Sequence, residues 1–254
     1  MASRQSKTST LCALLIWLQT SWPSAGFAQT VQRTDIATRN FRSGTSLSKA
    51  GKYRESLVQF DEAIRNSPGF ADAYVWRGKS LLELDETQKA VIDFNKAMQL
   101  DPKNSAAYHM RARAFYELGK YEAALKDYST AFRMVETSEE KAEMLRLLGR
   151  VNSALKRYEP AIANITQSLT YGRNPVAFMI RANLYASLGK HKEASKDYTE
   201  AISCATADDL GKLYSLRAIS YEKMGRKDLA LKDKEKAKQL TKDNWGDLLP
   251  DMDK

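Results

Sequence analysis

Two histidines, two cysteines and thirty-one acidic residues are the side chains of this 254-residue sequence that could serve as nucleophiles, proton carriers or metal ligands. Their spacing does not favour any of these roles. His109 and His191 are far apart, and neither has a Cys or second His at the short intervals of a zinc site. Cys204 stands where a small apolar residue is expected, so it reads as packing rather than as a reactive thiol. The carboxylate pairs Glu139-Glu140 and Asp208-Asp209 fall between periodic segments, where solvated acids are common. No Gly-rich phosphate loop, no Gly-x-Ser-x-Gly elbow and no His-Glu-x-x-His pair occurs. No catalytic residue, metal ligand or cofactor is therefore expected. The chemistry left over is recognition of anions: 40 Lys and Arg against 31 Asp and Glu leave a net charge of +9.

Those charges are placed by a repeat. Starts at Ala37, Ala71, Ser105, Ala142, Pro175 and Gly211 divide the chain into six units of period close to 34, with small insertions before the fourth and sixth. In this frame the eighth positions are Gly44, Gly78, Ala112, Gly149, Ala182 and Ala218. The twentieth are Ser56, Ala90, Ala124, Ala161, Ala194 and Ala230, and the twenty-seventh are Ala63, Ala97, Ala131, Ser168, Ala201 and Ala237. Small side chains at three fixed positions are what two helices of a hairpin need where they approach closely. Position seven is Arg77, Arg111, Arg181 and Arg217 in four units, and position twenty-three is Asp93, Asp127, Asp197 and Asp233 in the same four. Units one and four carry Ser43 with Gln59, and Leu148 with Asn164. Charge and countercharge are present or absent together, which predicts an ion pair joining the two helices of one unit and a structural role for these arginines.

This pattern resembles the tetratricopeptide repeat. The family's large residues recur as Tyr74, Tyr108 and Phe178 at position four and as Phe60, Phe94, Tyr128 and Tyr198 at position twenty-four, and Pro68 and Pro102 end their helices. The resemblance implies an all-α fold, a right-handed superhelical solenoid of six helix-turn-helix repeats over 37–70, 71–104, 105–138, 142–174, 175–208 and 211–244. Departures lie in the outer units, where Asn40, Lys234 and Lys238 replace apolar residues as end caps do. The fourth unit also departs, with Ile165 in place of the aromatic. In this family the first helices of successive repeats line a groove that takes peptides or helices. Carried over by register, the groove candidates are Lys79, Leu82, His109, Arg113, Tyr116, Arg146, Arg150 and Asn183. They make its middle basic with an aromatic edge, suited to an acidic peptide or carboxylate. The family's carboxylate clamp for chaperone tails is not reproduced. The expected partner is another protein, with self-association into an oligomer as the alternative.

The ends differ from the repeats. Residues 1–28 carry Arg4 and Lys7, an apolar run from Leu11 to Leu18, and Gly26 and Ala28 at a cleavage-like site. This is the order of a secretory signal. The run is far shorter than the ~20 residues that span a bilayer. Export to a periplasm or beyond the cell is expected, with an organellar transit peptide as the alternative. Residues 29–36 read as a linker and 245–254 as an acidic tail. The last repeat concentrates Lys223, Arg226, Lys227, Lys232, Lys234, Lys236, Lys238 and Lys242. This reads as a solvated cap, with peripheral contact to anionic membrane as its alternative and nucleic acid not favoured.

Overall fold

The computed structural model describes residues 25–241. Among them are twelve helices and no strand. The first six are α1 (Ala25–Lys49), α2 (Tyr53–Asn66), α3 (Ala71–Leu82), α4 (Thr87–Leu100), α5 (Ser105–Glu117) and α6 (Tyr121–Met134). The others are α7 (Ser138–Ala154), α8 (Tyr158–Thr170), α9 (Pro175–Ser187), α10 (His191–Cys204), α11 (Ala207–Lys223) and α12 (Lys227–Thr241). Each odd-numbered helix packs on the next as a hairpin. The chain divides into two compact bodies, one ending at Asp101 with two hairpins and one beginning at Pro102 with four. The expected signal at 1–28 lies almost wholly outside the described residues, as does the acidic tail.

Three boundaries differ from the sequence expectation. Residues 29–36 are not a linker but part of α1. The insertions before the fourth and sixth repeats are extra helical turns, because α7 begins at Ser138 and α11 at Ala207. At α7 the cause is a capping box: Thr137 Oγ1 accepts from the Glu140 amide at 3.2 Å and donates to its carboxylate at 2.8 Å. The acid pairs Glu139-Glu140 and Asp208-Asp209 thus occupy first turns, where the helix dipole favours negative charge.

Within every hairpin the turn is built the same way. The amide just before the second helix reaches back five residues, as from Lys120 to the Phe115 carbonyl at 2.8 Å and from Lys190 to Tyr185 at 2.8 Å. The residue before that amide has positive φ, and is Gly51, Gly119, Gly189 or Gly225 in four repeats. In the other two it is Asp85 and Lys156, at φ 61° and 57°, which carry a cost that glycine does not.

All eighteen small positions are buried. Where position eight is glycine, the facing ring or branch fills the space a methyl would take. A Cβ on Gly78 would lie 2.6 Å from Phe94, and one on Gly44 2.7 Å from Phe60. In the third and fifth repeats position eight is Ala112 or Ala182, and the facing residue is Tyr128 or Tyr198. In the first five repeats glycine at position eight therefore goes with Phe or Ile opposite and alanine with Tyr, while the sixth pairs Ala218 with Lys234.

The predicted ion pairs form in all four repeats. Asp127 accepts from Arg111 Nε at 2.7 Å and from its terminal nitrogen at 2.8 Å, and the Arg77–Asp93, Arg181–Asp197 and Arg217–Asp233 forks match it. The bonds to Asp93, Asp197 and Asp233 raise the pKa of Arg77, Arg181 and Arg217, so these guanidinium groups stay charged. In Arg77, Arg181 and Arg217 the remaining nitrogen bonds to the second helix of the preceding repeat. Arg77 reaches Asp61 at 2.6 Å, Arg181 reaches Thr166 Oγ1 at 3.0 Å and Arg217 reaches Thr199 Oγ1 at 2.9 Å. One side chain thus closes its own hairpin and ties it to the hairpin before.

Candidate functional site

The first helices of the repeats place the candidate residues, and the body from Pro102 onward gathers most of them. A cavity of about 300 Å³ opens there between α5, α7 and α9. Its lining includes Tyr116, Arg150, Ser153, Ile180, Asn183 and Ser187. Arg150 is exposed, and its guanidinium lies 5.4 Å from the centre of the Tyr116 ring. A guanidinium on an aromatic face keeps its edge donors for a carboxylate while the ring restricts its motion.

Behind this corner stands Tyr128, whose ring centre is 5.8 Å from that of His109. Burial pushes the Tyr128 hydroxyl up to about 12, while the charges of Arg150 and Arg113 oppose the shift. His109 is thus placed beside Tyr128, and Arg150 on Tyr116. Arg113 is nevertheless not the open cation expected of it: its Nε donates to Glu117 on the same helix at 2.9 Å. The spacing of four residues was the signal available in the sequence.

Asn183 is oriented by a partner that sequence reasoning did not identify. The Tyr198 hydroxyl donates to Asn183 Oδ1 at 2.6 Å, which fixes the amide and leaves its NH₂ as the donor end beside the cavity. Desolvation also raises the Tyr198 hydroxyl to about 12, so it stays protonated and able to donate at neutral pH.

The remaining candidates lie elsewhere. Arg146 lines a separate recess of about 280 Å³ with Glu139, Glu143, Tyr171 and Arg173. Lys79 belongs to the body ending at Asp101, where its ammonium sits 4.7 Å from the Trp76 ring centre, with Lys49 at 5.9 Å. Trp76 was not among the candidates. Leu82 is a correction: at 3 % exposure it is a core residue, because its apolar side chain is stabilised by leaving water rather than by lining an open face. In the last hairpin part of the basic charge is engaged locally. Lys234 pairs with Glu222 at 2.6 Å and Lys236 lies over Tyr214 at 5.3 Å. Lys242 lies outside the described residues.

Three family profiles, each described as a tetratricopeptide repeat, match residues 41–105, 103–173 and 176–206. The chain belongs to the tetratricopeptide-repeat family. Solved structures of this fold superpose widely on the protein. PilF of Pseudomonas aeruginosa does so with a TM-score of 0.71 at 18% identity, covering 82% of this chain and 93% of its own. PilW, described as a widely conserved type IV pilus biogenesis factor, has a TM-score of 0.70 at 16% identity, covering 80% and 93%. YrrB, described as a tetratricopeptide-repeat protein with an unusual peptide-binding site, has a TM-score of 0.59 at 18% identity, covering 73% and 93%. At these identities the likeness concerns the fold. No curated protein matches the sequence of this tetratricopeptide-repeat chain.

Proposed function

We propose that this protein is an exported, non-enzymatic interaction scaffold that holds a polypeptide with acidic side chains against the inner helices α5, α7 and α9. The observation that carries this reading is the exposed Arg150 guanidinium stacked on Tyr116, in one cavity with the oriented amide of Asn183. A cation held in place next to an amide donor suits a carboxylate followed by a backbone carbonyl. Peptide binding is also the activity described for YrrB, which shares the fold.

Export rests on the signal-like order of residues 1–28, and among the described residues no helix is long and apolar enough to cross a membrane. The amino terminus of the protein recovered from its native host tests this point: a start near Gln29 supports export, and an intact Met1 refutes it.

Affinity capture from native lysate tests the scaffold, with the mature chain and its Arg150→Glu variant side by side. A client retained by the first and lost by the second is the expected result. A client held equally by both would remove Arg150 from the interface. Recovery of the bait alone, together with a stable oligomer in sedimentation, would favour the self-associating reading instead.

A further inference from the structure

The same inner face changes chemistry along its length. On α9, Val176, Ile180, Asn183 and Ser187 follow one another at helical spacing on one stripe, and the last three line the cavity. Val176 is 46 % exposed. On α11, Ile219 occupies the register of Asn183 and Arg150 and is 42 % exposed. The α7 side thus presents a cation on an aromatic ring, whereas α9 and α11 present aliphatic side chains to water. Two large aliphatic side chains left open on these helices gain nothing from packing, and covering them would remove apolar surface from water.

We propose that the occupant of this face is an amphipathic acidic segment, with its carboxylate on Arg150 and its aliphatic side chains over Val176, Ile180 and Ile219. The proposal rests on the scaffold reading and adds a direction to it. Arg150 and Ile219 are two inner helices apart, at roughly 10 Å per step. An extended chain covers that distance in about six residues. The carboxylate and the farthest aliphatic residue should therefore be about six positions apart, a spacing that a purely acidic ligand does not need.

Labelled synthetic nonapeptides test this by fluorescence anisotropy on the mature chain. One carries three Asp, three Gly and three Leu; its controls carry Asp or Leu at only one end, and a fourth peptide reverses the order. The mixed peptide, in one of its two orders, should bind at least tenfold more tightly than either control. Arg150→Glu and Ile219→Asp should each weaken it at least fivefold. Both residues are exposed, and unchanged circular dichroism would verify the fold. Equal affinity for mixed and acid-only peptides, with Ile219→Asp and Val176→Asp silent, overturns the proposal while an Arg150-dependent client leaves the scaffold reading standing. If no peptide binds, the proposal likewise falls, and the capture experiment judges the scaffold reading separately.

Discussion

The interior of the hairpins and their inner face obey different rules within one chain. At positions eight, twenty and twenty-seven all six repeats use Gly, Ala or Ser, and every one of these residues is buried. At position nine, one residue along from a buried glycine or alanine, the six repeats carry Thr45, Lys79, Arg113, Arg150, Asn183 and Ile219. The first set is dictated by how closely two helices approach, a constraint that every repeat shares. The second set is not held to that close approach and differs from repeat to repeat. The repeated positions account for the fold, and the unrepeated ones give the inner face its chemistry.

That contrast can be broken most severely at the forks. Asp197→Ala would leave Arg181 with no carboxylate in a half-buried setting and should cost about 3 kcal/mol. Urea denaturation followed by circular dichroism would measure it, and a loss below 0.5 kcal/mol (by the ~0–1 kcal/mol usual for surface pairs) would show the forks to be ornamental. Next in size is Gly78→Ala. The added methyl meets the Phe94 ring, and overpacking of this kind costs roughly 1–3 kcal/mol. Gly149→Ala should lose a similar amount, since its methyl meets Cδ1 and Cγ1 of the wholly buried Ile165 at 2.5 and 2.8 Å, with the Ala161 carbonyl at 3.4 Å. Alanine's helix propensity, about 1 kcal/mol better than glycine's, offsets part of either loss. A gain in stability for both variants would refute the idea that the facing side chain decides the choice.

Smaller effects sharpen the picture at the turns and the tyrosines. Asp85→Gly and Lys156→Gly relieve positive φ and should each stabilise by about 0.5–1 kcal/mol in the same assay. The folded state favours the neutral phenols of Tyr128 and Tyr198, whose pKa values rise from 10 to about 12. Their contribution is complete below pH 10 and is lost as pH climbs through 12. Absorbance near the phenolate band should show a late-titrating fraction that shrinks in Tyr128→Phe and in Tyr198→Phe.

The helix pairs, the small buried positions and the Arg–Asp forks were readable without coordinates because each recurs, so six repeats act as six readings of one rule. Features that occur once were not. The extra turn at Ser138 depends on a single capping box, the tether of Asn183 on a single tyrosine, and the burial of Leu82 on its place in the core. Register alone also put Arg113 and Arg150 in one class, although Glu117 engages the first and the Tyr116 ring supports the second. The third contact of Arg77, Arg181 and Arg217 escaped for another reason. Its acceptor is Asp61, Thr166 or Thr199 at position twenty-five, which the other repeats fill with Asn95, Ser129 and Glu235, so no motif shows.

The arginine ties also govern how successive hairpins of the body beginning at Pro102 would respond to shear. Where Arg181 and Arg217 cross to the preceding repeat, sliding one hairpin past the next must break a directional bond, so the joint is stiff in shear. At the joint between α6 and α7 the seventh position is Leu148, and Ser129 spends its hydroxyl on the Leu125 carbonyl of its own helix at 2.7 Å. Tyr128, Met144, Leu145 and Val151 hold that joint mainly by apolar contact, with the Arg150–Tyr116 stack and an exposed Arg157–Glu122 pair at 3.6 Å also crossing it. Shear would thus meet a directional guanidinium bond at two joints of this body and mainly side-chain packing at the third.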